Sequence, residues 1–151
     1  MSGVVQLKKF SYRLEPLLKY RSEIEEKAVM EQSAAQKQYQ DQLFILEDIR
    51  NNLKETLEAE IMRVTADECL ARSLFIDYLT GSESRQKELV DRSLDDLEKK
   101  RAAAVEARRD RLVLQKLKEK LYHKHIEELN RWETKTIDDQ CSVLAQGKSR
   151  N

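Results

Sequence analysis

The residues that could carry chemistry are few and badly spaced for it. His123 and His125 lie two apart. On a helix they point to different sides, whereas a helical metal clamp needs a spacing of three or four. They read as solvated surface histidines. The acid pairs Glu25-Glu26, Asp95-Asp96, Glu127-Glu128 and Asp138-Asp139 stand among lysines and arginines. That is the pattern of a solvated helix face with i, i+4 pairs. There is no glycine-rich phosphate loop, so the chain is not itself an ATPase. No catalytic, cofactor-binding or metal residues are expected, and the chain is not expected to be an enzyme. Cys69 and Cys141 are the only two cysteines. On one helix they would sit about 108 Å apart at 1.5 Å per residue, too far to pair. Isolated thiols behind no signal peptide read as reduced and cytosolic.

One charge feature is less bland. Lys99, Lys100, Arg101, Arg108, Arg109, Arg111, Lys116, Lys118, Lys120 and Lys124 are opposed only by Glu106, Asp110 and Glu119 over that stretch. Such runs are common on the solvated faces of coiled coils. The alternative is a basic collar that meets an acidic partner or a membrane surface. Aromatics are not interleaved as binding of single-stranded nucleic acid requires, and the net charge of +0 argues against general nucleic-acid binding.

The elements that position these residues are helices. The chain has 151 residues, of which 37% are charged and 6% aromatic, with one proline and three glycines. That mixture lacks the turn residues of a compact domain and matches a long helix or coiled coil. No apolar run approaches a transmembrane span. The fold class expected is all-α: a long antiparallel two-helix coiled coil in a single hairpin domain.

Helix one should start near Leu14 to Pro16, since proline is tolerated in a first turn. Its apolar residues are Leu14, Leu17, Ile24, Ala28, Ala35, Tyr39, Leu43, Leu46, Leu53, Leu57, Ile61 and Val64. Steps of four and four, as in Ala35-Tyr39-Leu43, depart from strict heptads and predict nearly straight helices. In the second half, Leu70, Leu74, Leu97, Leu112, Leu117, Leu121, Ile126 and Leu129 form the corresponding stripe. From Thr65 to Leu144 a continuous helix would be about 120 Å long and would have to bury its stripe against the first. Residues 1–11 and 145–151 should fray.

Two sites compete for the reversal. Thr80-Gly81-Ser82 offers a helix-ending glycine near the midpoint. Thr65-Ala66-Asp67-Glu68 reads as a capping box. Pattern alone favours Gly81 slightly, because a mid-helix glycine costs about 1 kcal/mol against alanine. The aromatics cluster as Phe10, Tyr12 and Tyr20; Phe75 and Tyr78; Tyr122 and Trp132. A two-helix seam has almost no interior, so these are either docking anchors or plugs at the ends of the seam.

Three segments resemble the FliJ family, the small coiled-coil component of flagellar type III export. They are Phe10-Ser11-Tyr12-Arg13-Leu14-Glu15-Pro16-Leu17-Leu18-Lys19-Tyr20-Arg21; Thr65-Ala66-Asp67-Glu68 with Phe75-Ile76-Asp77-Tyr78-Leu79; and Leu117-Lys118-Glu119-Lys120 through Trp132-Glu133 to Ile137-Asp138-Asp139. The injectisome counterpart has a similar pattern. Two features depart from the family: Arg63 stands where a corner glycine is usual, and Thr80 to Glu88 is wholly polar.

The resemblance moves the corner to 63–65, with helix one at 14–62 and helix two at 66–144. It implies a non-catalytic stalk that binds the export ATPase hexamer and the cytoplasmic domain of the export gate and assists export chaperones. It would lie in the cytoplasm, peripheral at the inner face of the membrane, with no cofactor and no nucleic acid. It implies a gate-facing surface of Phe75, Ile76 and Leu79, with Ile45 and Ile49 across from them. An ATPase-facing end would hold Leu17, Tyr20, Arg108, Arg109, Arg111 and Trp132. A generic coiled-coil scaffold or tether is the alternative function.

Overall fold

The computed structural model describes residues 9–59, 62 and 65–148. Two helices account for nearly all of them: α1, Glu15–Glu58, and α2, Ala66–Lys148. The architecture is an antiparallel two-helix coiled coil, a helical hairpin. Met1 to Lys8, Glu60, Ile61, Arg63, Val64 and residues 149–151 lie outside the described residues. So does the fraying expected for residues 1–8 and 149–151, along with the seam roles of Ile61 and Val64.

The reversal falls between Glu58 and Ala66, and α2 runs through Gly81 without a break. At Gly81 an added Cβ would meet only the flexible tip of Arg85, at 3.6 Å. Nothing at that position therefore requires glycine or ends the helix. The capping box forms instead. The Thr65 N–H donates to Glu68 Oε2 at 2.9 Å, and the Glu68 N–H donates to Thr65 Oγ1 at 3.4 Å. Two orphan donors of the first turn are satisfied reciprocally. α1 ends at Glu58, short of the expected Met62, and α2 continues past the expected Leu144 to Lys148.

The last turn of α1 holds no basic residue to complement its carbonyls. Arg72 of α2 supplies one. Its guanidinium donates to the carbonyls of Ala59 at 3.0 Å, Thr56 at 2.6 Å and Leu57 at 3.1 Å. A cation there meets the negative end of the helix dipole and satisfies carbonyls that lack an intrahelical partner.

Contacts divide the chain into two compact units: Met1–Ser22 with Arg109–Asn151, and Glu23–Arg108. In the second, one line of buried or half-buried residues of α1 alternates by four and three: Glu25, Ala28, Gln32, Ala35, Tyr39, Gln42, Leu46, Ile49, Leu53 and Thr56, with Ile24 and Gln36 half-buried beside it. On α2 the line runs through Arg72, Ile76, Leu79, Glu83, Gln86, Val90, Ser93, Leu97, Lys100, Ala104 and Ala107, with Gly81, Ser82 and Leu94 half-buried beside it. The same alternation holds in the first unit for Leu14, Leu18 and Arg21, and for Arg111, Leu114 and Lys118. These are heptad seams.

The seam therefore differs from the stripes read by apolarity alone. Leu17, Leu43 and Leu57 of α1 and Leu70 and Leu74 of α2 are exposed. The four-and-four steps came from counting Leu43 and Leu57, so the expectation of straight helices loses its basis. The seam positions they displaced include Arg21, Gln42, Glu83, Gln86, Ser93, Lys100, Arg111 and Lys118, which an apolar count passes over.

Candidate interaction surfaces

In unit 2 (Glu23–Arg108) the seam core is thin. Leu97 is fully buried, with Ala35, Leu46, Leu79, Val90, Ala104 and Ala107 nearly so. Antiparallel register is visible in the pairs across it. Glu31 accepts from Lys100 Nζ at 2.8 Å, and Gln36 from Arg101 at 2.7 Å. Arg50 Nε reaches Glu83 at 2.7 Å. The Lys100 ammonium holds the Glu31 carboxyl below its ordinary pKa, and Glu31 in turn raises that of Lys100.

Five residues were expected to face the gate, and the seam separates them. Leu79 is 5% exposed and belongs to the core; Ile49 and Ile76 are half-buried seam residues. Only Ile45 and Phe75 are open, at 43% and 47%. Each immediately precedes a seam residue, Leu46 and Ile76, and so does Leu89 before Val90. In an antiparallel coil such positions of both helices lie on one flank. The Arg50–Glu83 contact sets Ile49 level with Glu83, not directly across from Phe75. Leu89 was missed because the stretch Thr80 to Glu88 reads as wholly polar and draws attention away from its end. Phe75 stacks with Tyr78, ring centroids 6.4 Å apart and planes within 19°. With Leu70 and Leu74 they leave a largely apolar surface on α2 outside the seam. Leu79 plugs the seam; Phe75 and Tyr78 do not.

Unit 1 uses its aromatics differently. Tyr12 is buried, and its hydroxyl donates to the Leu114 carbonyl at 3.0 Å. The Phe10 ring meets Tyr122 edge-on at 5.3 Å and lies 5.6 Å from His125. Neither Tyr12 nor Phe10 is a free anchor, and His125 is half-buried rather than solvated. Lys118 pairs with Glu15 at 2.7 Å and Arg21 with Asp110 at 2.8 Å. Arg111 donates to Gln115 from a seam position.

Of the residues expected at the ATPase, Leu17, Tyr20, Arg109 and Trp132 are exposed on this unit, and Arg108 is exposed on unit 2. Arg108 and Arg109 make no ion pair or hydrogen bond among the described residues. The basic run is thus partly consumed by the seam, through Lys100, Arg111 and Lys118. Among the described residues no group of His, Cys, Asp and Glu could hold a metal, and no helix is long and apolar enough to cross a membrane. Both cysteines are exposed.

Fold and surfaces together define a class: an antiparallel helical hairpin whose distinctive features are off-seam apolar and basic surfaces. Residues 10–150 match the family described as flagellar FliJ protein, and the chain belongs to that family. No curated protein and no solved structure matches. Membership makes the chain a component of flagellar protein export, in a family that is not enzymatic.

Proposed function

We propose that the chain is a non-catalytic stalk of the flagellar export apparatus, acting as one hairpin domain. In this reading it engages the export ATPase hexamer and the cytoplasmic domain of the export gate and assists export chaperones, in the cytoplasm at the inner face of the cell membrane. The observation that supports it most is the off-seam surface around Phe75. Ile45, Phe75 and Leu89 share a flank, and Tyr78 stacks beside them, all at least two-fifths exposed. Large apolar side chains held on a rigid helix are what a partner's hot spot uses. The gate is assigned to this flank. The ATPase ring is assigned to the residues Leu17, Tyr20, Arg109 and Trp132 of unit 1, where a cation with no ion pair among the described residues raises association rates by long-range attraction. Arg108, its neighbour in sequence, adds to that charge.

The test uses Phe75→Ala with Tyr78→Ala, and separately Arg108→Glu with Arg109→Glu. Arg111 and Leu79 are left intact because they belong to the seam. The aromatic variant should bind the purified gate domain at least about tenfold more weakly, with unchanged helicity. The arginine variant should slow association with the ATPase ring and flatten its salt dependence. Unchanged gate affinity and identical salt curves would leave a generic scaffold.

A further inference from the structure

We propose that the side-chain amides of Gln42 and Gln86 form the register lock of unit 2. Gln86 is 8% exposed on a seam position of α2. Its Nε2 donates twice, to the Gln42 backbone carbonyl at 3.0 Å and to the Gln42 Oε1 at 2.7 Å. Gln42 is itself a seam residue of α1. Among the described residues this is the only amide-to-amide bond between the helices.

Away from Arg72, whose guanidinium holds the carbonyls of Thr56, Leu57 and Ala59 at the corner, the rest of the seam discriminates poorly between registers. Ala35, Ala104 and Ala107 bury little area, so each contributes little to burial energy wherever it lands. Leu46, Leu53, Val90 and Leu97 are aliphatic and tolerate one another in any heptad-spaced arrangement. Ser93 donates to the carbonyl of Val90 in its own helix, a bond indifferent to α1. The cross-helix pairs Glu31–Lys100 and Arg50–Glu83 each keep one partner open to solvent and are worth little.

A slip of one heptad places Gln86 against Ala35 or Ile49, neither of which has a side-chain acceptor. The buried amide would then lose its Gln42 partner, and an unmade buried hydrogen bond disfavours the slipped register. The corner limits such a slip without forbidding it, since unwinding about two turns of either helix absorbs one heptad. A polar seam residue that fixes register at some expense of stability is an established device in coiled coils.

The experiment is disulfide trapping in the full chain carrying Cys69→Ser and Cys141→Ser. Arg50→Cys with Glu83→Cys reports the native register. Leu43→Cys with Glu83→Cys and Leu57→Cys with Glu83→Cys report a slip of one heptad in either direction. With Gln86 present, only the first pair should cross-link readily. With Gln86→Leu, one of the slipped pairs should cross-link at least about tenfold faster than before, while helicity is kept. If Gln86→Leu loses its helicity, Gln42→Leu with Gln86→Leu, which buries no amide, is read the same way. Cross-linking confined to the native pair in the apolar variant overturns the proposal. So does loss of the fold in both variants, because the amides would then be stabilising the hairpin rather than setting its register.

Discussion

The two units close their seams by opposite means. In unit 1 aromatic side chains seal the packing: Tyr12 is buried with its hydroxyl on the Leu114 carbonyl, and Phe10 stands edge-on to Tyr122. In unit 2, at the corner, the seal is polar. Arg72 clasps the last carbonyls of α1, and the Thr65–Glu68 box starts α2. The aromatics there, Phe75 and Tyr78, turn outward. A residue type near a seam's end therefore does not say whether it seals or docks. What decides is whether another element of the chain stands over it, as the segment before α1 does in unit 1.

The largest effect that breaks this contrast should come from Tyr12→Ala. It removes a buried ring and a hydrogen bond and should cost about 3 kcal/mol in urea unfolding. Tyr12→Phe, which keeps the ring, should cost only about 1 kcal/mol. A cost below that of the phenylalanine variant for Tyr12→Ala would mean the aromatic seal contributes nothing. Next comes Arg72→Ala. It leaves the carbonyls of Thr56, Leu57 and Ala59 to water and should cost about 1–2 kcal/mol. The loss should appear first as faster amide hydrogen exchange in the last turns of α1. Arg72→Lys should recover less than half, because an ammonium does not span three carbonyls as a planar guanidinium does. Full recovery by lysine would reduce the clasp to simple charge.

The smallest effect sharpens the picture of unit 2 as polar but weakly held. Glu31 has its pKa lowered by Lys100, so the contribution of this pair is present above the unfolded carboxyl value of 4.5 and fades as pH falls through the lower folded value. Lys100 is raised, so its contribution is present below 10.5 and fades as pH rises through the higher folded value. Glu31 is exposed and Lys100 only half-buried, so the effect should be small and screened by salt. Comparing the melting temperatures of the parent and Lys100→Gln between pH 7 and pH 3 checks it. The parent should lose slightly more on acidification, and the gap should close at 1 M salt. An equal loss in both would show that the pair is spectator charge.

The sequence by itself determined the helical hairpin. Abundant helix formers and the pair of long amphipathic stretches are local features, and local physics reads them correctly. For the corner, pattern alone leans to Gly81, and the family resemblance moves it to the capping box at Thr65. It also determined the family, through segments that keep their order and spacing from Phe10 to Asp139. The tertiary structure alone decided which face of each helix became the seam. Leu17, Leu43, Leu57, Leu70 and Leu74 carry the strongest apolar signal yet remain exposed, while Gln42, Gln86 and Ser93 are taken inside. Apolarity ranks residues one at a time, whereas a seam must satisfy both helices along one unbroken heptad line. The alternation of four and three admits Gln42 and leaves Leu43, one position away, exposed. For the same reason Leu79 and Arg111 left the candidate surfaces and Leu89 joined them: their roles depend on the partner helix, which no single stretch of sequence specifies.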